Sequence, residues 1–235
     1  MHAQIRPHLR DYLAMLQLHR GESRKAYDGV ATAYDGFAWV WDQHIAAGAM
    51  AHYNQLLAQH IQPGVVVLDA GAGTGERTQA IVGSGQPQRV VALDASAGML
   101  RVARFKISDP RVQFLHGDVR HLPFADNTFD VVACTWVVEI LDDPRAAVQE
   151  FVRVIKPDGI VIYAFCSLPD GPIGTVLQHV MEHVGADSGP LSHLLRETER
   201  PFHQCAQSSL VQFTGGLTTV ATVAKCCPIA APFLP

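Results

Sequence analysis

The stretch VVVLDAGAGTG, Val65 to Gly75, joins a run of β-branched and aliphatic residues to three glycines at alternate positions, with Asp69 between them. A strand that is apolar throughout is buried on both faces, and the glycines after it supply a tight turn into whatever follows. Outward from this point the same unit repeats. Val90–Leu93, Val112–Leu115, Val131–Cys134 and Ile160–Phe165 are further short apolar runs, and helical stretches near 75–83, 97–106, 144–155 and 172–183 fill the gaps. Helical crossovers force parallel pairing with right-handed connections, so the expected fold class is α/β, a doubly wound, mostly parallel sheet. Ligands of such sheets bind beyond the carboxyl ends of the strands, where the opening stretch ends.

A dinucleotide fingerprint would read G-x-G-x-x-G, so that a pyrophosphate rests on the helix N-terminus. Gly71 and Gly73 fit that spacing, but Glu76 stands at the third position and Gly75 comes one residue early. Asp69 at the strand end would repel phosphate oxygens and favour a cation. In VVALDASAGML the second strand ends on Asp94, whose carboxylate can accept from both ribose hydroxyls. In FLHGDVRHLPF the Asp118 carboxylate can accept from an exocyclic amine, and the Val119 N–H can donate to a ring nitrogen. Adenine, ribose, no phosphate and a positive end together describe S-adenosylmethionine.

VVVLDAGAGTG, LDAS, GDVRHLPFADNTFDVV and RVIKPDGI stand in an order and spacing that resembles the class I S-adenosylmethionine-dependent methyltransferases. The branch most similar is the small-molecule one that includes the quinone-biosynthesis C-methyltransferases, and the resemblance covers roughly residues 27 to 165. It implies a Rossmann-like methyltransferase fold with an N-terminal helical lid. It implies that Asp69, Gly71, Gly73 and Gly75 line the methionine end, that Asp94 holds the ribose, and that Asp118 and Val119 read the adenine. Met99 would flank the base, and Thr135 in ACTWVVEIL would offer backbone contacts to the amino-acid moiety. Tyr27 and Tyr34, in AYDGVATAYDGFAWVWD, would close over the cofactor; the alternative for both is to pack the helical half onto the sheet. Met99 has a core residue as its alternative, and RVIKPDG reads as a helix stop and turn.

Two regions flank that core. Residues 1–60 read as the lid, since HLRDYLAMLQLH is apolar at helical spacing and FAWVWDQHIAAGAMAHYNQLLAQHI is long, alanine-rich and free of proline up to Pro63. Residues 61–235 read as the cofactor-binding domain, with a helical insertion about 166–216. GGLTTVATVAK is the expected sixth strand, and the three prolines of CCPIAAPFLP leave a closing strand after it irregular, displaced or absent.

At 235 residues and 48% hydrophobic the chain buries roughly 70–75% of its unfolded surface without disulfides. Its formal net charge is −4 and its basic residues are dispersed, so nucleic acid is not an expected partner and a small-molecule acceptor is. Five irregularly spaced cysteines suit a reducing compartment, MHAQIRPHLRD has no apolar core of signal-peptide length, and the apolar runs are strand-sized; a soluble cytoplasmic protein is expected. Methyl transfer from a sulfonium needs alignment first and a base only if the acceptor must lose a proton. Among twelve histidines, His44 and His52 follow the lid, and no catalytic residue is assigned.

Three rival readings accompany this one. HVMEH, His179 to His183, matches the H-x-x-E-H pattern of zinc proteases, whose third ligand would have to come from Asp187, Glu197 or Glu199. Cys205, Cys226 and Cys227 would suit a thiophilic acceptor such as arsenite, with buried inert thiols as the alternative. A protein that binds S-adenosylmethionine as a sensor, without catalysis, is the third.

Overall fold

β1, Val66–Ala70, lies at the centre of a seven-stranded sheet and hydrogen-bonds in parallel to β2, Arg89–Asp94, on one side and β4, Phe129–Thr135, on the other. The order is β3-β2-β1-β4-β5-β7-β6, with β3 at Val112–His116, β5 at Ile155–Cys166, β6 at Ala206–Phe213 and β7 at Thr218–Lys225. Strands one to five are parallel; β7 runs antiparallel to both β5 and β6. The computed structural model describes Tyr27, Ala31 and residues 34–166 and 206–225. The expected helices at 9–16 and 172–183, HVMEH, and Cys205, Cys226 and Cys227 lie outside these.

Five helices are described: α1 at Tyr34–His44, α2 at Ala47–His60, α3 at Glu76–Gly85, α4 at Ala97–Lys106 and α5 at Pro144–Val154. Their ends follow local chemistry. The Ser96 hydroxyl caps α4 by accepting from the Met99 N–H at 3.1 Å, and Asp143 caps α5 by accepting from the Ala146 N–H at 3.1 Å, with Pro144 pre-set for the first turn. Ala147, Val148, Phe151 and Val154 put one apolar stripe of α5 onto the sheet.

Alternate strand residues divide the core into two layers. Leu68, Val91, Val132 and Val161 face α5, whereas Val67, Val90, Val131 and Ile162 face the layer holding Met50, Tyr53 and Leu57 of α2 and Ile81 of α3. Two expectations are corrected by this. The lid was expected to run through residue 60, but α2 is a covering helix of the sheet, because its small and apolar residues bury against the central strands. The expected sixth strand is the seventh: Ala206–Phe213, inside the stretch expected as a helical insertion, forms β6, and the hairpin places β7 between it and β5. The closing strand is therefore present, and it is the GGLTTVATVAK segment itself.

Candidate active site

The carboxyl ends of β1, β2 and β4 open onto one crevice of about 160 Å³, bounded below by the glycine turn and above by Tyr27 and Tyr34. Its floor depends on backbone geometry. Gly71 has φ +82°, and a Cβ there would lie 2.2 Å from Val137 Cγ2, so the turn can pass under the β4 loop only as glycine. The Gly71 and Ala72 N–H groups both donate to Leu93 O, at 2.8 and 2.9 Å, which binds the turn to the end of β2.

Asp94 is fixed from both sides. Its Oδ2 accepts the Gly73 N–H at 2.8 Å and its Oδ1 accepts the Ser96 N–H at 2.7 Å. Two amides hold the side chain still, and the residue lines the crevice. Met99 lies beside it in the crevice wall and is also packed to 2% exposure, so the cofactor-contact and core alternatives meet in one residue.

Asp118 and Val119 line the next part of the wall. Arg120 donates to Asp118 from its backbone N–H at 2.9 Å, from Nε at 3.0 Å and from Nη2 at 2.7 Å, and its other Nη reaches Asp142. These bonds, the side-chain ones foremost, hold the Asp118 carboxyl below its ordinary range. Thr135 ends β4 and is followed by Trp136, Val137, Ile140 and Leu141, which add apolar surface to the lining of the same crevice.

Two of the eleven expected residues do not line the crevice. Asp69 sits within β1, paired with Ala92 and Ala133, and shares the face of Val67. Its side chain therefore enters the layer under α2 and α3, where its Oδ2 accepts from the Thr78 hydroxyl at 2.6 Å and 1% of the residue is exposed. Burial raises that carboxyl to about 7. Gly75, with φ +86°, starts α3 and packs on α4: a Cβ would lie 2.7 Å from Ile107 Cδ1 and 3.1 Å from Ala103 Cβ. Both residues shape the turn from behind.

The roof is attached to the floor by side chains. Tyr27 and Tyr34 meet edge to face at 5.9 Å, and burial holds both phenols well above their ordinary pKa. On α1, Asp35 accepts from the Thr74 hydroxyl and pairs with Lys106 at 2.6 Å, and Asp42 pairs with Arg77 and accepts from Trp136 Nε1 at 3.3 Å. His44 is exposed against Trp39, and His52 packs on Phe213; neither lines the crevice. Trp136, with φ +58°, and Arg120 escape a reading of composition and spacing, although each directly follows an expected site residue. No group of three or more metal-ligating side chains occurs among the described residues.

Residues 68–163 match the family described as Methyltransferase domain. The demethylmenaquinone methyltransferase of Renibacterium salmoninarum is 36% identical over 166 residues, covering 69% of this chain and 67% of that protein. The chain belongs to the class I S-adenosylmethionine-dependent methyltransferases. Neither the metalloid nor the sensor reading is favoured by these relatives. The malonyl-[acyl-carrier protein] O-methyltransferase of Yersinia pestis is 39% identical over 148 residues, 60% of this methyltransferase and 51% of that one. The chain thus spans between about half and two thirds of the length of these relatives. Among solved structures, the YcgJ protein of Bacillus subtilis shares the fold at TM-score 0.60 and 18% identity, covering 75% of this chain and 99% of that one. Phosphoethanolamine N-methyltransferase 2 of Haemonchus contortus, solved with phosphomonomethylethanolamine and S-adenosylhomocysteine, does so at TM-score 0.66 and 16% identity, with 87% and 58% covered.

Proposed function

We propose that this methyltransferase acts on a flat, largely apolar acceptor that carries a ring hydroxyl, of the quinol class. The observation that carries the reading is the mixed lining of the crevice, in which Asp94 and Asp118 occur together with Trp136, Val137, Ile140 and Leu141. The carboxylates suit a nucleoside with a positive end, and the apolar residues suit a ring. Demethylmenaquinone methyltransferases among the relatives support the same acceptor class.

The fit to the donor rests on Asp94, a carboxylate held by two amides in the lining of the crevice, and on the glycine turn, which lets a ligand approach the backbone. Asp94 would hold the ribose, Asp118 and Val119 the adenine, and Gly71, Gly73 and the end of β4 at Thr135 the amino-acid moiety. Bound S-adenosylmethionine supplies a methyl group activated by its sulfonium. The chain's own contribution is alignment, which can supply about 7–11 kcal/mol when reactants are held in attack geometry. Tyr27 and Tyr34 exclude water from above. Arg120 keeps Asp118 ionised, which strengthens that residue as an acceptor.

A reducing, cytoplasmic setting is supported by the free thiols of Cys134 and Cys166, and the net charge of −4 supports an acceptor other than nucleic acid. No helix among the described residues is long and apolar enough to cross a membrane. The test is S-adenosylhomocysteine release with a panel of quinols, phenols, amines, thiols, arsenite and acyl carboxylates. Turnover with ring hydroxyl compounds is expected; turnover confined to carboxylates, amines or arsenite overturns the acceptor class.

A further inference from the structure

Trp136 directly follows β4 and lines the crevice. Its φ of +58° is a left-handed backbone, which a bulky side chain adopts only where its surroundings over-determine it. Here they do so at several points. The Trp136 N–H donates to Ala164 O of β5 at 2.9 Å, and the indole Nε1–H donates to Asp42 Oδ1 of α1 at 3.3 Å. Asp42 is nearly buried and pairs with Arg77 of α3, so the group that accepts from the indole is itself fixed. The ring meets Trp41 of α1 edge to face, with 6.0 Å between centroids, and Trp136 also packs against the core layer that holds α2.

The place of this residue relative to the donor follows from its neighbour. A Cβ on Gly71 would lie 2.2 Å from Val137 Cγ2, so the residue after Trp136 rests on the glycine turn. In the reading above, Asp94, Asp118, Val119 and that turn answer the polar groups of the donor. The indole, with its N–H already bonded to Asp42, offers apolar ring surface, and Val137, Ile140 and Leu141 add to it.

We propose that Trp136 determines acceptor specificity, its indole being the surface on which the flat ring of the acceptor packs, an inference that deepens the methyltransferase reading above and rests on it. Two rings in offset or edge contact attract beyond the area they bury. An indole pinned before the acceptor arrives loses little freedom on binding, so the contact goes into affinity and into holding the acceptor in one orientation. The strain at Trp136 fits this role, because residues in sparsely populated backbone regions gather at ligand clamps. Asp42 and Arg77 hold the ring and do not touch the acceptor.

The test compares the full wild-type chain with one variant that keeps a ring, Trp136→Phe, and two that do not, Trp136→Leu and the longer Trp136→Met, each shown to be folded by circular dichroism melting. Equilibrium dialysis of naphthol, in the presence of S-adenosylhomocysteine, should give an affinity within about threefold of wild type for phenylalanine and a loss of about tenfold or more for both ringless variants. Calorimetry should leave the dissociation constants of S-adenosylmethionine and S-adenosylhomocysteine within about twofold in all three. In turnover, KM for a ring hydroxyl acceptor should rise with the loss of naphthol affinity, and the preference for naphthol over phenol in kcat/KM should shrink in the ringless variants and persist in phenylalanine. Unchanged naphthol affinity in the ringless variants overturns the assignment. An equal loss in phenylalanine also overturns it, since the bond to Asp42 and not the ring would then matter. A loss of S-adenosylmethionine affinity with S-adenosylhomocysteine affinity intact overturns it in favour of an indole that faces the sulfonium. A wild type that binds naphthol through Trp136 and methylates nothing keeps the ring surface and sinks the transferase reading. One that methylates other acceptors and binds no naphthol sinks the ring surface and keeps the transferase.

Discussion

Replacing Asp94 by alanine tests the donor site at the point where geometry is most explicit. The carboxylate accepts two amide bonds of 2.7 and 2.8 Å, from Ser96 and Gly73, and the residue lines the crevice. A hydrogen bond to a charged group contributes about 1.5–3 kcal/mol. Loss of one such bond to a ribose diol weakens donor binding about ten- to hundred-fold, and loss of two weakens it further. Alanine also frees the Gly73 and Ser96 amides, which lets the glycine turn relax and adds to the loss. Asparagine keeps one acceptor oxygen but not the charge, so Asp94→Asn should fall between wild type and alanine. The assay is calorimetric titration with S-adenosylmethionine and S-adenosylhomocysteine, with circular dichroism melting to show that each variant is folded. A folded Asp94→Ala protein whose dissociation constant stays within threefold of wild type would refute the assignment of Asp94 to the donor.

Gly71→Ala sets a Cβ against Val137 at a left-handed φ, so urea denaturation should show a loss of about 2–5 kcal/mol, and an unchanged midpoint would mean that the turn can rebuild. Arg77→Met leaves the nearly buried Asp42 without its partner and should cost about 3 kcal/mol, most of which Asp42→Asn in the same chain should return; a double-mutant cycle with no coupling contradicts the ion pair. Burial raises the Asp69 carboxyl from its ordinary 3.8 to about 7, so the folded state binds more protons than the unfolded chain between those values. This group's contribution to stability is accordingly largest below pH 4, falls as pH rises to about 7, and is level above that; Asp69→Asn should remove that component, so that its stability relative to wild type improves from pH 5 to pH 8. Melting curves at the two pH values check the sign.

The parallel half of the sheet was legible because its strands are buried on both faces and leave near-continuous apolar runs, from Val66–Ala70 through Phe129–Thr135. β6 was not legible for the opposite reason. Among the described residues it is an edge strand paired with β7, with exposed Ser208, Ser209 and Val211, and its partner follows it in sequence. Motif residues that stand at a strand tip or beyond, such as Asp94, Asp118 and Thr135, line the crevice. Asp69 shows the limit of spacing arguments. One position before the end of β1, it takes the face that strand alternation dictates, and proximity in sequence to the glycines does not turn it toward the ligand.

The position of β7 between β5 and β6 bears on how the chain is made. During synthesis β5 emerges long before Thr218–Lys225, so the edge carrying Ile160 to Phe165 stands open on the ribosome while β6, when it appears, has nothing to pair with. An apolar strand with an unsatisfied edge is an invitation to intermolecular pairing. The last described strand therefore acts as the closure of the nascent sheet, and chains stopped short of Thr218 should partition into aggregates although every residue of the donor crevice has already been translated.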